Sequence, residues 1–281
     1  MLSNLFYCEN KDTYPPFKNG LYLEEHFLKY HTQTTKKYIP CLWTNFQIEH
    51  WFNYKKNEMQ ASLDSWVKEN PSDTGYFTVV QYDDGPLLRL PPDTIIYGAC
   101  SGNIPIPLIY EDSNFTLDNQ VTKSFNEKKL FCSFVGTTTH NVRKHFINYF
   151  SNNANFIIIA NPEWTSIVEK HKQDNFINVT IDSKFALAPR GHGRSSFRFF
   201  EIFKLKTIPV YVWDDIDWLP FKETINYSKL CISINIKDIG LLEQRLQSIT
   251  EQEYTDMLTY YETIKEYFSV DGMTKLICNQ V

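Results

Sequence analysis

The feature that most constrains this chain is an alternation in its second half. Between residues 129 and 213, short apolar runs take turns with segments of helical period: KLFCSFVG, HNVRKHFINYF, NFIIIA, FALA, SSFRFFEIFKL and TIPVYVW. A run such as NFIIIA, apolar at every position after its asparagine, suits a strand buried on both faces, which is the habit of parallel sheets. Strand, helix and strand in succession then require a crossover connection. The first half carries a helical stretch, LYLEEHFLKYH, and strand-like runs YIPCLW, YFTVVQY and TIIYGA, separated by polar or helical segments such as MQASLDSWVKEN. The expected class is therefore α/β with parallel sheet in both halves. A polar stretch without periodicity, EDSNFTLDNQVTKSFNEKK, reads as a linker. It places a boundary near residue 122, giving domains 1–122 and 123–281. The tail ITEQEYTDMLTYYETIKEYF is helical by period.

Charge and cysteine usage narrow the function classes. At 281 residues with a net charge of -5, the chain has no continuous basic stripe to follow a phosphate backbone, so no nucleic-acid partner is expected. The six cysteines are dispersed and never form CxxC, which suits reduced thiols and offers no zinc site. The first residues lack the pattern of a signal peptide, and no apolar run approaches the roughly 20 residues of a membrane span. The expectation is a cytoplasmic protein without an integral membrane segment.

Against that acidic background, residues 185–213 hold a basic knot. Arg190, Arg194 and Arg198, three of the chain's six arginines, lie within nine residues together with Gly191 and Gly193. Ligands of open parallel sheets bind beyond the carboxyl ends of strands, where helix starts present unpaired N–H groups to anions. The glycines allow close backbone approach, Ser195 or Ser196 can cap the following helix, and the arginines supply planar forks for phosphate or carboxylate. Glu201 shares a helix face with Arg198 and suits a pair of ribose hydroxyls. A second reading stays open, in which the arginines pair with acids such as Asp214 and Asp215 in a structural network. Cations at a helix N-terminus oppose the helix dipole, which favours a compensating anion.

The segment KFALAPRGHGRSSFRFFEIFKLKTIPVYVWDDIDWLPF resembles the hallmark region of the exostosin-like glycosyltransferases, glycosyltransferase family 47. Pro189, Arg190, Gly191, Gly193, Ser196, Arg198, Glu201, Ile208-Pro209-Val210 and Leu219-Pro220-Phe221 carry the likeness. KKLFCSFVGTTTHNVRKHF and LQSITEQEYTDM extend it from about Lys128 to Phe268, while the first half offers only YIPCLW and NIPIPLIY. The resemblance implies a GT-B fold, two Rossmann-like domains facing across a cleft, the second holding a nucleotide-sugar. It also implies inversion, giving a β-linked product from a donor that is commonly UDP-linked, with a carbohydrate acceptor and no required cofactor or metal.

On that footing Arg190 and Arg194, with the backbone from Gly193 to Ser196, would hold the departing diphosphate; Gly136 and Arg143 would approach it from the neighbouring strand. Glu201 would bind ribose, and Arg198 either joins the site or holds Glu201. His192 stands where the family often has an aromatic residue, Ile202 replaces an alanine, Lys206-Thr207 replaces Gly-Cys, and SFVG lacks a preceding arginine. An inverting reaction needs a general base. Asp83 and Asp84, after YFTVVQY and before Gly85, are the candidates, although Asp-Asp-Gly is equally natural as a surface turn. Asp93, Glu111, Asp112, His140 and His192 compete for the role. Trp43, Trp51, Trp66 and Tyr82 could stack on acceptor sugars. Two alternatives remain: a metal-dependent GT-A enzyme using Asp215-Ile216-Asp217 as its metal pair, and a non-catalytic nucleotide- or sugar-binding partner of another transferase.

Overall fold

A computed structural model describes residues 2–11 and 14–281. The chain divides into two compact units, the first comprising Met1–Asp12, Gly20–Glu111 and Glu266–Val281, the second Thr13–Asn19 and Asp112–Lys265. This differs from a single break near residue 122, because the polar stretch expected to be a linker folds with the second unit. The Asp112 carboxylate accepts from the Thr116 hydroxyl at 3.0 Å and from the Leu117 N–H at 3.2 Å, Leu117 is fully buried, and Asp118 pairs with Lys204 at 3.3 Å.

The first unit runs α1 (Leu23–Tyr30), β1 (Lys37–Tyr38), α2 (Trp43–Gln47), α3 (Phe52–Glu69), β2 (Tyr76–Val80), β3 (Ile95–Gly98) and β4 (Ile104–Pro105). Its four strands pair in parallel in the order β1-β2-β3-β4. The Glu25 carboxylate accepts the Tyr22 N–H at 2.9 Å and so secures the start of α1. The strand expected over YIPCLW is only two residues long; Pro40 lacks an N–H for the ladder and the chain turns into α2. Prolines likewise stop β4 after two residues. The core gathers Phe46, Met59, Leu63, Trp66 and Val80 around Trp43, whose indole N–H donates to Thr78 Oγ1 at 2.7 Å.

The second unit runs β5 (Leu130–Thr137), α4 (Asn141–Phe150), β6 (Phe156–Asn161), α5 (Lys170–Asp182), β7 (Ser183–Pro189), α6 (Phe197–Lys204), β8 (Ile208–Trp213), β9 (Ile232–Asn235), α7 (Leu242–Gln247) and α8 (Glu251–Ile264). The chain then ends in α9 (Val270–Gln280) of the first unit, where it packs with α1. All five strands of the second sheet are parallel, in the order β6-β5-β7-β8-β9. Phe134, Phe146, Leu187, Val210 and Ile234 belong to its core. The chain steps outward from β5 to β6 and then crosses back to place β7 on the other side of β5. The carboxyl ends of β5 and β7 therefore flank a topological switch point, the crevice where open α/β sheets take ligands. Among the described residues no helix is long and apolar enough to cross a membrane.

Candidate functional site

Arg143, on the first turn of α4, fastens the two strand ends at the switch point. Its Nε donates to the Arg190 carbonyl at 3.0 Å, Nη1 to the Thr137 carbonyl at 3.1 Å, and Nη2 to the Pro189 carbonyl at 3.3 Å. The side chain is buried, and each guanidinium nitrogen faces a peptide oxygen. Arg143 is thus a staple between β5 and β7. His140 caps the same helix, its Nδ1 accepting the Val142 N–H at 3.2 Å; burial, reinforced by the Arg190 charge, lowers its pKa.

The knot is held to the protein itself. Arg190 Nη1 donates to Asp214 Oδ1 and Asp215 Oδ1, both at 2.8 Å, and its Nη2 donates to the His192 carbonyl at 2.7 Å. Arg194 Nε donates to Asp215 Oδ2 at 2.8 Å and its guanidinium lies 5.3 Å from the Trp218 ring centre. Partial burial alone would raise the Asp215 pKa; the Ile216 N–H and the two arginines outweigh it and hold the carboxyl down at about 2. The β7–β8 register explains the meeting: Pro189 lies opposite Val212, so Arg190 and Asp214 leave adjacent parallel strands almost together. The structural ion-pair network is therefore what forms around Arg190, and its charge is matched by two carboxylates.

Arg198 is different. It sits in the first turn of α6 with its guanidinium 5.2 Å from the Phe176 ring centre and 5.8 Å from that of Phe134. Among the described residues its Nε is buried with no hydrogen-bond partner, and no carboxylate pairs with it. Gly136 makes room for it: a Cβ there would lie 2.8 Å from Arg198 Nη1. Glu201, buried, follows one turn later. Ser196 is the N-cap of α6, but its hydroxyl makes no capping bond. Arg198, Glu201 and Gly136 line one cavity of about 90 Å³ beyond the ends of β5 and β6, with Asn161, Trp164 and Phe176. A larger cleft of about 490 Å³ follows the β8–β9 connection, where Lys222 pairs with Asp217 at 2.9 Å and Arg245 donates to the Ser233 carbonyl at 2.8 Å.

The family model of the Exostosin GT47 domain matches residues 99–249, more than half of the chain and the whole of the knot. The chain belongs to the Exostosin GT47 family. It is 24% identical over 246 residues to an Exostosin-1 homolog of Caenorhabditis elegans, a match covering 73% of this chain and 63% of that protein. It is 28% identical over 93 residues to a probable glycosyltransferase of Arabidopsis thaliana, covering 33% of this chain and 20% of that protein. The chain thus spans under two thirds of the length of either relative.

The remaining expected residues of this Exostosin GT47 chain are placed as follows. Gly191 and Gly193 both have φ outside the left-handed region, and a Cβ on Gly191 would meet Arg143 Nη2 at an ordinary 3.5 Å. His192 is exposed. Asp83 and Asp84 are exposed on a tight turn after β2, closed by the Gly85 N–H on the Tyr82 carbonyl at 3.0 Å. Among their competitors, Glu111 accepts the Leu21 N–H at 2.9 Å, Asp112 caps its own turn, and Asp93 is an exposed turn residue with φ 60. Trp43 and Trp66 are buried core residues, which corrects their reading as sugar platforms, while Trp51 and Tyr82 pack against that core partly buried. Sequence reasoning missed Glu24. It is fully buried near the carboxyl end of β2, accepts from Thr44 N–H at 2.9 Å and Thr44 Oγ1 at 2.6 Å, and desolvation raises its pKa to about 7. The helical period of LYLEEHFLKYH gave no sign that this glutamate points inward.

Proposed function

We propose that the chain is an inverting glycosyltransferase of GT-B type that takes a nucleotide-sugar, UDP-linked, in its second unit and glycosylates a carbohydrate hydroxyl. The observation that carries this reading is Arg198: a guanidinium facing two aromatic rings, with a buried Nε that has no hydrogen-bond partner among the described residues, in a cavity it shares with buried Glu201 beyond strand ends. A cation in such a place is costly unless an anionic ligand completes it. Membership of the Exostosin GT47 family supplies the reaction class.

In the reaction, the acceptor oxygen attacks the anomeric carbon as the bond from that carbon to the phosphate oxygen breaks. The bonding pair leaves with the nucleoside diphosphate, and the acceptor proton passes to a base, for which Asp83 and Asp84 stay proposed. Inversion turns an α-linked donor into a β-linked product. The charge developing on the diphosphate falls to Arg198, the N–H groups opening α6 and the hydroxyls of Ser195 and Ser196, a set of oriented donors able to do this without a metal or cofactor. Glu201 takes the ribose hydroxyls. Arg190, Arg194 and Arg143 brace the loop that presents these groups. The metal-pair reading of Asp215-Ile216-Asp217 gains no support, since Asp215 pairs with Arg190 and Arg194 and Asp217 with Lys222.

The test is a panel of nucleotide-sugars scored by thermal stabilisation and by release of nucleoside diphosphate. A UDP-sugar should raise the melting temperature and be turned over, and Arg198→Ala should abolish both. Stabilisation by no member of the panel would refute the reading.

A further inference from the structure

The Asp83–Asp84 turn is exposed after β2, yet the chain on either side of it is gripped by buried polar side chains. Before the turn, the Gln81 N–H donates to Glu24 Oε1 at 2.5 Å, the Glu24 N–H donates to Gln81 Oε1 at 3.3 Å, and Gln81 Nε2 donates to the Ile109 carbonyl at 2.7 Å. After it, Gln47 Nε2 donates to the Gly85 carbonyl at 3.0 Å, and Gln47 Oε1 accepts the Leu87 N–H at 2.6 Å. Glu24, Gln47 and Gln81 are all buried.

Both grips rest on α2. Thr44 occupies the Glu24 carboxylate with its N–H and its hydroxyl, and Gln47 follows three residues later, on the same face of the helix. The Trp43 indole moors α2 to Thr78 of β2. A helix of five residues does not hold itself, so these bonds decide where it stands. Gly85, at φ 74, completes the turn, and a Cβ there would lie 3.3 Å from the Ser101 carbonyl oxygen.

Buried hydrogen bonds contribute little net stability, because each replaces one to water, and apolar packing of the same shape would hold a loop about as firmly. What a fully satisfied buried network adds is a single fixed geometry. A turn that only reverses the chain has no use for that. A carboxylate that must come within hydrogen-bond reach of a reacting hydroxyl does. The turn also lies beyond the carboxyl end of a parallel strand, where open sheets take ligands.

We infer that Glu24 and Gln47 are positioning residues, fixing the Asp83–Asp84 turn so that one of its carboxylates receives the proton of the acceptor hydroxyl. This rests on the glycosyl-transfer reading above and gives its base a fixed mount in the first unit. The proton passes from the acceptor oxygen to the carboxylate as that oxygen attacks, and the two positioning residues act only through the turn.

The experiment measures UDP release from the nucleotide-sugar panel, with donor KM and thermal melts, for the full chain and its Gln47→Ala, Glu24→Gln, Gly85→Ala and Asp83→Asn/Asp84→Asn variants, and for Gln47→Ala combined with the aspartate pair. The aspartate-pair variant should lose about 10²- to 10⁴-fold in kcat. Gln47→Ala should lower kcat about 10- to 100-fold with donor KM unchanged. Added to the aspartate-pair variant it should cost no further turnover, as befits groups acting through one another, whereas a merely structural role would multiply the two losses. Glu24→Gln, whose amide must set an N–H against that of Thr44 or Gln81, should follow Gln47→Ala. Gly85→Ala displaces the turn without removing a buried polar group, and takes the place of Gln47→Ala in the cycle if that variant does not fold. Undiminished kcat in Gln47→Ala and Glu24→Gln, independent losses in the combined variant, or full turnover by the aspartate-pair variant would overturn this inference and leave the transferase reading standing. Absence of UDP release by the unaltered chain would overturn both.

Discussion

Arg190 and Arg198 belong to one loop-and-helix element and have opposite surroundings. Arg190 is engaged by Asp214, Asp215 and the His192 carbonyl, whereas Arg198 faces two aromatic rings and has no ion-pair partner among the described residues. Clustering in the sequence treats them as equals; geometry separates a brace from a group awaiting a ligand. An arginine without a counter-charge in a low-dielectric wall is destabilising by itself, so its persistence points to a partner that arrives from solution.

The comparison can be broken most readily at Arg198. Arg198→Ala should lower kcat/KM for a UDP-sugar by about 10²- to 10³-fold, the usual loss for a donor at a developing anion, while the melting temperature holds or rises. Loss of fold with no selective loss of turnover would reverse the roles. Arg190→Ala should do the converse, costing about 1 kcal/mol in urea denaturation because it removes a guanidinium bonded to two partly exposed carboxylates. Asp215→Asn in that background should restore part of it. Full stability of the Arg190 variant would show that the brace is dispensable.

Gly136→Ala sharpens the same contrast through shape. Its added methyl would meet Arg198 Nη1 at 2.8 Å, so nucleotide affinity should fall about tenfold as the guanidinium is displaced; unchanged affinity would mean that Arg198 can move aside freely. The smallest effect is acid-induced. Asp215 is held at about 2 against an ordinary 3.8, so its contribution to stability is present above the unfolded value and is lost as pH falls through the folded one. Exposure of its carboxylate keeps the size under about 1 kcal/mol. Stability curves between pH 5 and pH 2 should fall less steeply for Arg190→Ala than for the unaltered chain.

How much of this was legible depends on the range of the signal. β5, α4, β6, α6 and β8 follow from largely apolar runs alternating with helical period, but the expected burial on both faces fails for β6, which is the edge strand and leaves Ile157–Ala160 partly exposed. α5 and β9 were not anticipated: α5 passes into β7 at Asp182–Ser183 without a glycine or proline between them, and β9 is only four residues long. The ion partners of Arg190 were available as an alternative, yet choosing it required the β7–β8 register. The edge-on contact of Tyr14 with Trp164 was invisible, since no local pattern ties the two. The same holds for Glu24, whose burial depends on contacts with Thr44 and Gln81 and not on helical period.

The most direct measurement is the crystal structure of the chain with UDP bound. Phosphate oxygens should lie within hydrogen-bonding distance of the Arg198 guanidinium, and the ribose hydroxyls on Glu201, with Arg190 still paired to Asp214 and Asp215. Phosphates seated on Arg190, its carboxylates displaced and Arg198 still without an anion, would contradict the account.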